Sequence, residues 1–195
     1  MAVGGLNVGD STLISVSIEG FPLKFLFLAS LAIVSVFSAS PAQASEVFGG
    51  VYVHDVDTFL TIAGVEKGAD IQLGWRGDRI GETPLQPYGF VAVNTAGATN
   101  YGAIGLSAKF GDKLFIRPGL GIAVHTGSAK KFEDDSNDKL EFGSRVLFEP
   151  ELGIGTRIND RLTIEASWVH MSHATLFSGQ NPGIDNFGVR LALKL

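Results

Sequence analysis

The sequence predicts an all-β chain closed into an eight-stranded antiparallel transmembrane β-barrel. Three observations carry that prediction. After Ser45 no stretch sustains a helical period, and short alternating runs separated by turn residues recur instead. The connections between those runs alternate between tight turns and long polar loops, as in a barrel that crosses a bilayer. Where the two faces of a run can be told apart, one is aliphatic and the other mixes glycine with charges of both signs.

The elements follow in order. Lys24 precedes an apolar run over 25–39, and Ala42-Gln43-Ala44 supplies a small-x-small cleavage site, so residues 1–44 read as a secretory targeting region. The run is shorter than the roughly 20 residues a membrane-spanning helix needs. Residues 1–23 are long and polar for the start of a signal peptide, so translation is expected to begin nearer Lys24, at a non-Met start codon. Residues 45–195 are expected to form the barrel. Eight runs read as strands: 46–56, 69–76, 87–95, 100–110, 113–125, 141–158, 161–174 and 184–195. Gly111-Asp112 and Asn159-Asp160 are tight turns. The segments 126–140, which holds Lys130, Lys131, Glu133, Asp134, Asp135 and Asp138, and 174–185 are long loops. The connection 77–84 is the one long segment on the short-turn side.

Face parity decides which way the barrel is turned. In the fifth run Leu114, Ile116, Leu120, Ile122 and Val124 share one face. Phe115, Arg117, Gly119, Gly121, Ala123 and His125 share the other. In the sixth, Phe142, Val146, Phe148, Leu152 and Ile154 oppose Arg145, Glu149, Glu151 and Arg157. In the last, Phe187, Val189, Leu191, Leu193 and Leu195 oppose Asn186, Arg190 and Lys194. Small residues and a compensating Arg/Glu set suit the interior of a narrow barrel, where buried charges are tolerable only if paired. The reading is therefore inside out, with lipid around the aliphatic face. The rival is a soluble, lipocalin-like periplasmic barrel that binds an apolar ligand.

Composition removes several function classes. The net charge is -5 and the pI about 5.3, so no nucleic-acid partner is expected. Cysteine is absent, which excludes disulfides, a thiolate nucleophile and cysteine metal sites. The glycines match no phosphate-binding loop, since no Lys-Ser/Thr follows at the required spacing. The acidic loop residues read as a solvated outer loop; no metal and no cofactor are expected.

Four histidines remain as candidate chemistry: His54, His125, His170 and His173. His54 and His125 fall at loop-side strand ends and read as structural. His170 and Ser172 are two apart in a strand, so their side chains share a face, and the imidazole can take the serine proton. That face continues the parity of Leu162, Ile164, Ala166 and Trp168, and thus points toward lipid. Polar groups facing hydrocarbon need a reason, because left unsatisfied they cost several kcal/mol. Asp185 opens the last strand on the parity of Phe187 and Val189. Antiparallel pairing of the last two runs brings it beside His170, where a carboxylate orients the ring.

The stretch His170-Met171-Ser172-His173-Ala174, followed by Asn181-Pro182-Gly183-Ile184-Asp185-Asn186-Phe187-Gly188-Val189-Arg190, resembles the C-terminal signature of lipid A 3-O-deacylases. Weaker likeness extends to Gly143-Ser144-Arg145-Val146-Leu147-Phe148-Glu149 and to the region 66–75. The resemblance implies an eight-stranded outer-membrane barrel that removes the 3-linked acyl chain of lipid A with a Ser-His-Glu triad. Carried onto this chain, it implies Ser172 as nucleophile, His170 as base, Asp185 at the place of the family's glutamate and Asn181 as oxyanion donor. His173 stands where the family commonly has asparagine. The implied partners are lipid A, or lipopolysaccharide, and the lipids of the outer membrane; a homodimer is among the expected assemblies. The rival of a different class is a non-enzymatic structural or adhesive surface barrel.

Overall fold

The computed structural model describes residues 45–61, 65–131, 140–176 and 182–195; the expected targeting region lies outside them. The strands are β1 Glu46–Val53, β2 Ala69–Arg76, β3 Leu85–Asn94, β4 Tyr101–Ala108, β5 Phe110–Gly111, β6 Leu114–His125, β7 Val146–Arg157, β8 Leu162–Met171 and β9 Ile184–Lys194. They hydrogen-bond in the order β4-β3-β2-β1-β9-β8-β7-β6-β5, all antiparallel, and β4 pairs with β6 to close the ring. The short β5 keeps the register of β4, with Ser107 opposite Gly119 and Phe110 opposite Ile116. It is one stave with β4, so the barrel has the eight staves expected. The ladder lapses across from Pro118, which has no N–H to contribute.

β2 to β3, β5 to β6 and β7 to β8 are joined at one end of the barrel, and β1 to β2, β3 to β4, β6 to β7 and β8 to β9 at the other. The tight turns have local causes. Gly111 takes a φ of 102°, open to glycine and strained for other residues. The Asn159 side chain accepts the N–H groups of Arg161 and Leu162, both at 2.9 Å, and so closes its own turn. Short turns at one end and long loops at the other assign the loop end to the extracellular side.

The aliphatic face is outside. Ile104 is 72% exposed and Leu120 62%, and Val51, Leu73, Val91, Ile154, Val189 and Leu191 continue the belt. A soluble barrel would bury these groups, since each square ångström of apolar surface left in water forgoes roughly 25 cal/mol; the lipocalin-like alternative is overturned. The inside is filled by a connected charge network. Arg190 donates to Glu151 at 2.7 Å and to the Tyr52 hydroxyl at 3.0 Å. Arg76 bonds Glu46 and lies 3.4 Å from Glu151, while Arg117 bonds Glu46 and lies 3.3 Å from Glu165. Within this layer the Phe48 ring packs against the Arg76 and Arg190 guanidiniums and meets Phe90, which packs on Tyr88 and Tyr101. Interior glycines make room for the long carboxylates: a Cβ on Gly153 would strike the Glu165 carboxylate.

Two strand readings need correction. The run expected over 141–158 begins only at Val146. Gly143 adopts a φ of 73° and breaks the alternation before it. Phe142 therefore does not join the lipid face: it turns into the barrel mouth with Leu140, both fully buried, and packs on His125. The first run ends at Val53, because Asp55 enters the left-handed region, φ 51°, and the chain leaves the sheet as a strap over the rim.

Candidate active site

β8 and β9 deliver the predicted pair in direct register, with His170 opposite Asp185. The His170 Nδ1–H donates to Asp185 Oδ1 at 2.9 Å. With that proton committed, Nε2 is the acceptor, and the Ser172 hydroxyl donates to it at 2.9 Å. The three groups form one line from carboxylate to ring to hydroxyl. Ser172 is held by its backbone as well: it exchanges both peptide hydrogen bonds with Phe148 of β7, at 2.8 and 3.1 Å. Just beyond, Ala174 and Thr175 take positive φ values of 51° and 61° and turn the chain out of the strand.

The site keeps the outward parity expected for it, at the loop end of the barrel. It is nonetheless covered: His170 and Ser172 are each 7% exposed and Asp185 is fully buried. The cover comes from two segments crossing the rim. Gly183 lies against the pair, where an added Cβ would stand 3.1 Å from both His170 Cε1 and Ser172 Cβ. From the other side comes the strap that follows β1, whose Val56 N–H donates to the Asp185 carbonyl at 2.8 Å. Asn181, the expected oxyanion donor, lies outside the described residues, as do Glu133, Asp134, Asp135 and Asp138 of the acidic loop.

Two contributors escaped the sequence reading. The Trp168 indole N–H donates to Asp185 Oδ1 at 2.6 Å, and the Thr58 hydroxyl donates to Asp185 Oδ2. Trp168 had a signal, since an indole on a lipid-facing parity still needs a partner for its N–H. Thr58 had none; its contact depends on the path of the strap.

The other histidines face inward. His125 bonds the Ser144 carbonyl through Nε2 at 2.7 Å, and His173 is fully buried on the interior parity. His54, at the base of the strap, stands between Asp70 at 2.9 Å and Glu66 at 3.0 Å, one carboxylate on each ring nitrogen. Both nitrogens must then carry protons. Burial opposes the charge, but the two carboxylates outweigh it and push the His54 pKa up to about 9. Burial likewise works against the Glu66 charge, yet bonds from His54, Thr99 and the Leu140 N–H hold its carboxyl below the ordinary value. The cluster extends through Asp70 to Asn94 and Tyr101, and Tyr101 accepts from Asn186. It ties the strap to the barrel interior.

The fold defines a class: a transmembrane β-barrel that turns its aliphatic face to lipid and its charges inward. The chain matches lipid A 3-O-deacylase (PagL) over residues 63–194 and belongs to that family. It is thus an outer-membrane enzyme that acts on lipid A, which sets aside the non-enzymatic surface barrel. Among solved structures, the crystal structure of the outer membrane enzyme PagL is similar at 20% identity and a TM-score of 0.56, with 77% of this chain and 99% of that one covered. A de novo designed transmembrane β-barrel is similar at 12% identity and a TM-score of 0.51, with 80% and 98% covered. At these identities the likeness concerns the fold. No curated protein matches by sequence.

Proposed function

We propose that this chain hydrolyses the 3-linked acyl ester of lipid A with Ser172 as nucleophile, His170 as general base and Asp185 as the carboxylate that orients the ring. One observation carries this reading: His170 stands 2.9 Å from Asp185 on one ring nitrogen and 2.9 Å from Ser172 on the other, on the lipid-facing parity at the extracellular end.

Ser172 Oγ attacks the ester carbonyl carbon while its proton passes to His170 Nε2. Negative charge develops on the carbonyl oxygen, and the Asn181 side-chain amide is the donor the family resemblance assigns to it. The C–O bond to the sugar then breaks, and His170 returns the proton to the departing sugar oxygen. Water, deprotonated by His170, cleaves the resulting acyl-serine and frees a 3-hydroxy fatty acid. Asp185 stays ionised and stabilises the imidazolium formed in each half. The membrane supplies orientation, since an acyl chain packed along the outer wall is already aligned beside the hydroxyl. Residues 1–44 fit this reading as a signal peptide removed on export.

Mass spectrometry of lipid A tests the proposal. Cells carrying the wild type should lose one 3-hydroxyacyl chain per lipid A, and cells carrying Ser172→Ala should retain it. Unaltered lipid A with both, while both proteins sit folded in the outer membrane, would remove the assignment.

A further inference from the structure

Asp185 lies on the outward parity of a barrel wall, at the start of β9. Three donors converge on it. Oδ1 receives the Trp168 indole N–H at 2.6 Å and the His170 Nδ1–H at 2.9 Å; Oδ2 receives the Thr58 hydroxyl. Trp168 belongs to β8, the same strand as His170. Thr58 comes from elsewhere: it sits on the strap that leaves β1, more than a hundred residues away in sequence.

The strap itself is tied down at several points. Asp55 N–H donates to Asn186 Oδ1 at 3.0 Å, and Val56 N–H to the Asp185 carbonyl at 2.8 Å. The Glu66 N–H, at the far end of the strap, donates to Asp55 Oδ2 at 2.8 Å. Beneath it His54 is clamped between Glu66 and Asp70 inside the barrel. Thr58 also accepts the Leu60 N–H at 3.1 Å, which leaves its hydroxyl proton to face the carboxylate. A hydroxyl held by this much fixed backbone is an orienting contact, because a charge-assisted bond gains most when its donor has little freedom left to lose.

We infer that Thr58 is a positioning residue for the reaction: its hydroxyl, presented by the strap over the rim, locks the Asp185 carboxylate in the rotation that aims His170 at Ser172. The inference rests on the proposed roles of these three residues and adds a further element of structure, the β1–β2 connection, to the machinery. Thr58 touches no substrate. It acts through Asp185, and Trp168 restrains the same carboxylate from the β8 side.

Thr58→Val keeps the shape of the side chain and removes its hydroxyl; Thr58→Ser keeps the hydroxyl. Both are measured in the full-length barrel, reconstituted with lipid A. With Thr58→Val the kcat for release of 3-hydroxy fatty acid should fall by roughly tenfold to a hundredfold, the scale of a small misalignment of reacting groups. KM should stay within about twofold, and Thr58→Ser should recover most of kcat. A structural role alone would move neither ratio in this pattern. The second readout needs no substrate: the proton NMR signal of His170 Nδ1–H, identified by its loss in His170→Gln, should shift or broaden in Thr58→Val and return in Thr58→Ser. Full kcat together with an unmoved Nδ1–H signal in a folded Thr58→Val protein overturns the inference. If the wild type releases no fatty acid, the proposed reaction fails, while the NMR comparison still decides whether Thr58 governs the His170–Asp185 contact.

Discussion

The spacing between side chains in this site leaves almost no slack. Gly183 shows it: a methyl there would stand 3.0 Å from the Met171 carbonyl and 3.1 Å from the His170 and Ser172 side chains. Gly183→Ala is expected to push the pair apart, lowering kcat by roughly tenfold or more while the barrel still folds. Heat-modified gel mobility reports the fold, and acid release the activity. The pair itself was legible in the sequence, because a two-residue spacing in a strand fixes a common face. Asp185 was legible because the last two strands had to pair. Thr58 was illegible, since it reaches the site through a connection whose path follows from Asp55 in the left-handed region rather than from any periodicity. The burial of His170 and Ser172 was hidden too, because alternation tells which side a residue faces and not what crosses in front of it.

At the scale of elements, the interior separates into two polar layers with different sensitivities. The lower layer holds its charges by mutual pairing. Arg190 lies fully enclosed between Glu151, Tyr52 and Gln72. Arg190→Met should remove the closer of the two cations on Glu151, leaving it Arg76 at 3.4 Å, and cost about 3 kcal/mol of stability, the lower end of the scale for breaking one side of a buried pair. Urea unfolding of the detergent-solubilised barrel measures it. The upper layer is pH-sensitive. The His54 pKa lies above its ordinary 6.5, at about 9, so its contribution is complete below 6.5 and lost as pH rises through about 9. Glu66 lies below its ordinary 4.5, so its contribution is present above that value and fades as pH falls below it. Between about pH 6 and pH 10 the wild type should lose more thermal stability than His54→Leu does. Equal losses would show that the cluster is not the sensitive element. The eight runs and their turns were readable in advance; the start of β7 was not, because Phe142 fits the alternation and only the left-handed Gly143 betrays the break.

For the molecule as a whole, the lipid belt and the charged interior are two halves of one arrangement. Neither would persist in water without the other being rebuilt. Ile104→Arg, midway along β4, should cost about 2–4 kcal/mol when the protein is folded into a bilayer. The same substitution should matter far less in unfolded, urea-solubilised chains, so folding titrations into liposomes give the difference. Inside-out polarity could be read from parity because the glycines and the paired charges share one face in β6, β7 and β9.

The proposed placement of the site on the wall rather than in a cleft has one more consequence. With Ser172 as the proposed nucleophile, substrate would reach it by sideways exchange among the lipids that ring the barrel, in two dimensions, and the spent lipid would leave by the same route. The relevant concentration is molecules per area of leaflet, and traffic past one strand pair sets the supply. A leaflet that stiffens into a gel should therefore slow turnover through lipid mobility, with the chemistry at the serine unchanged.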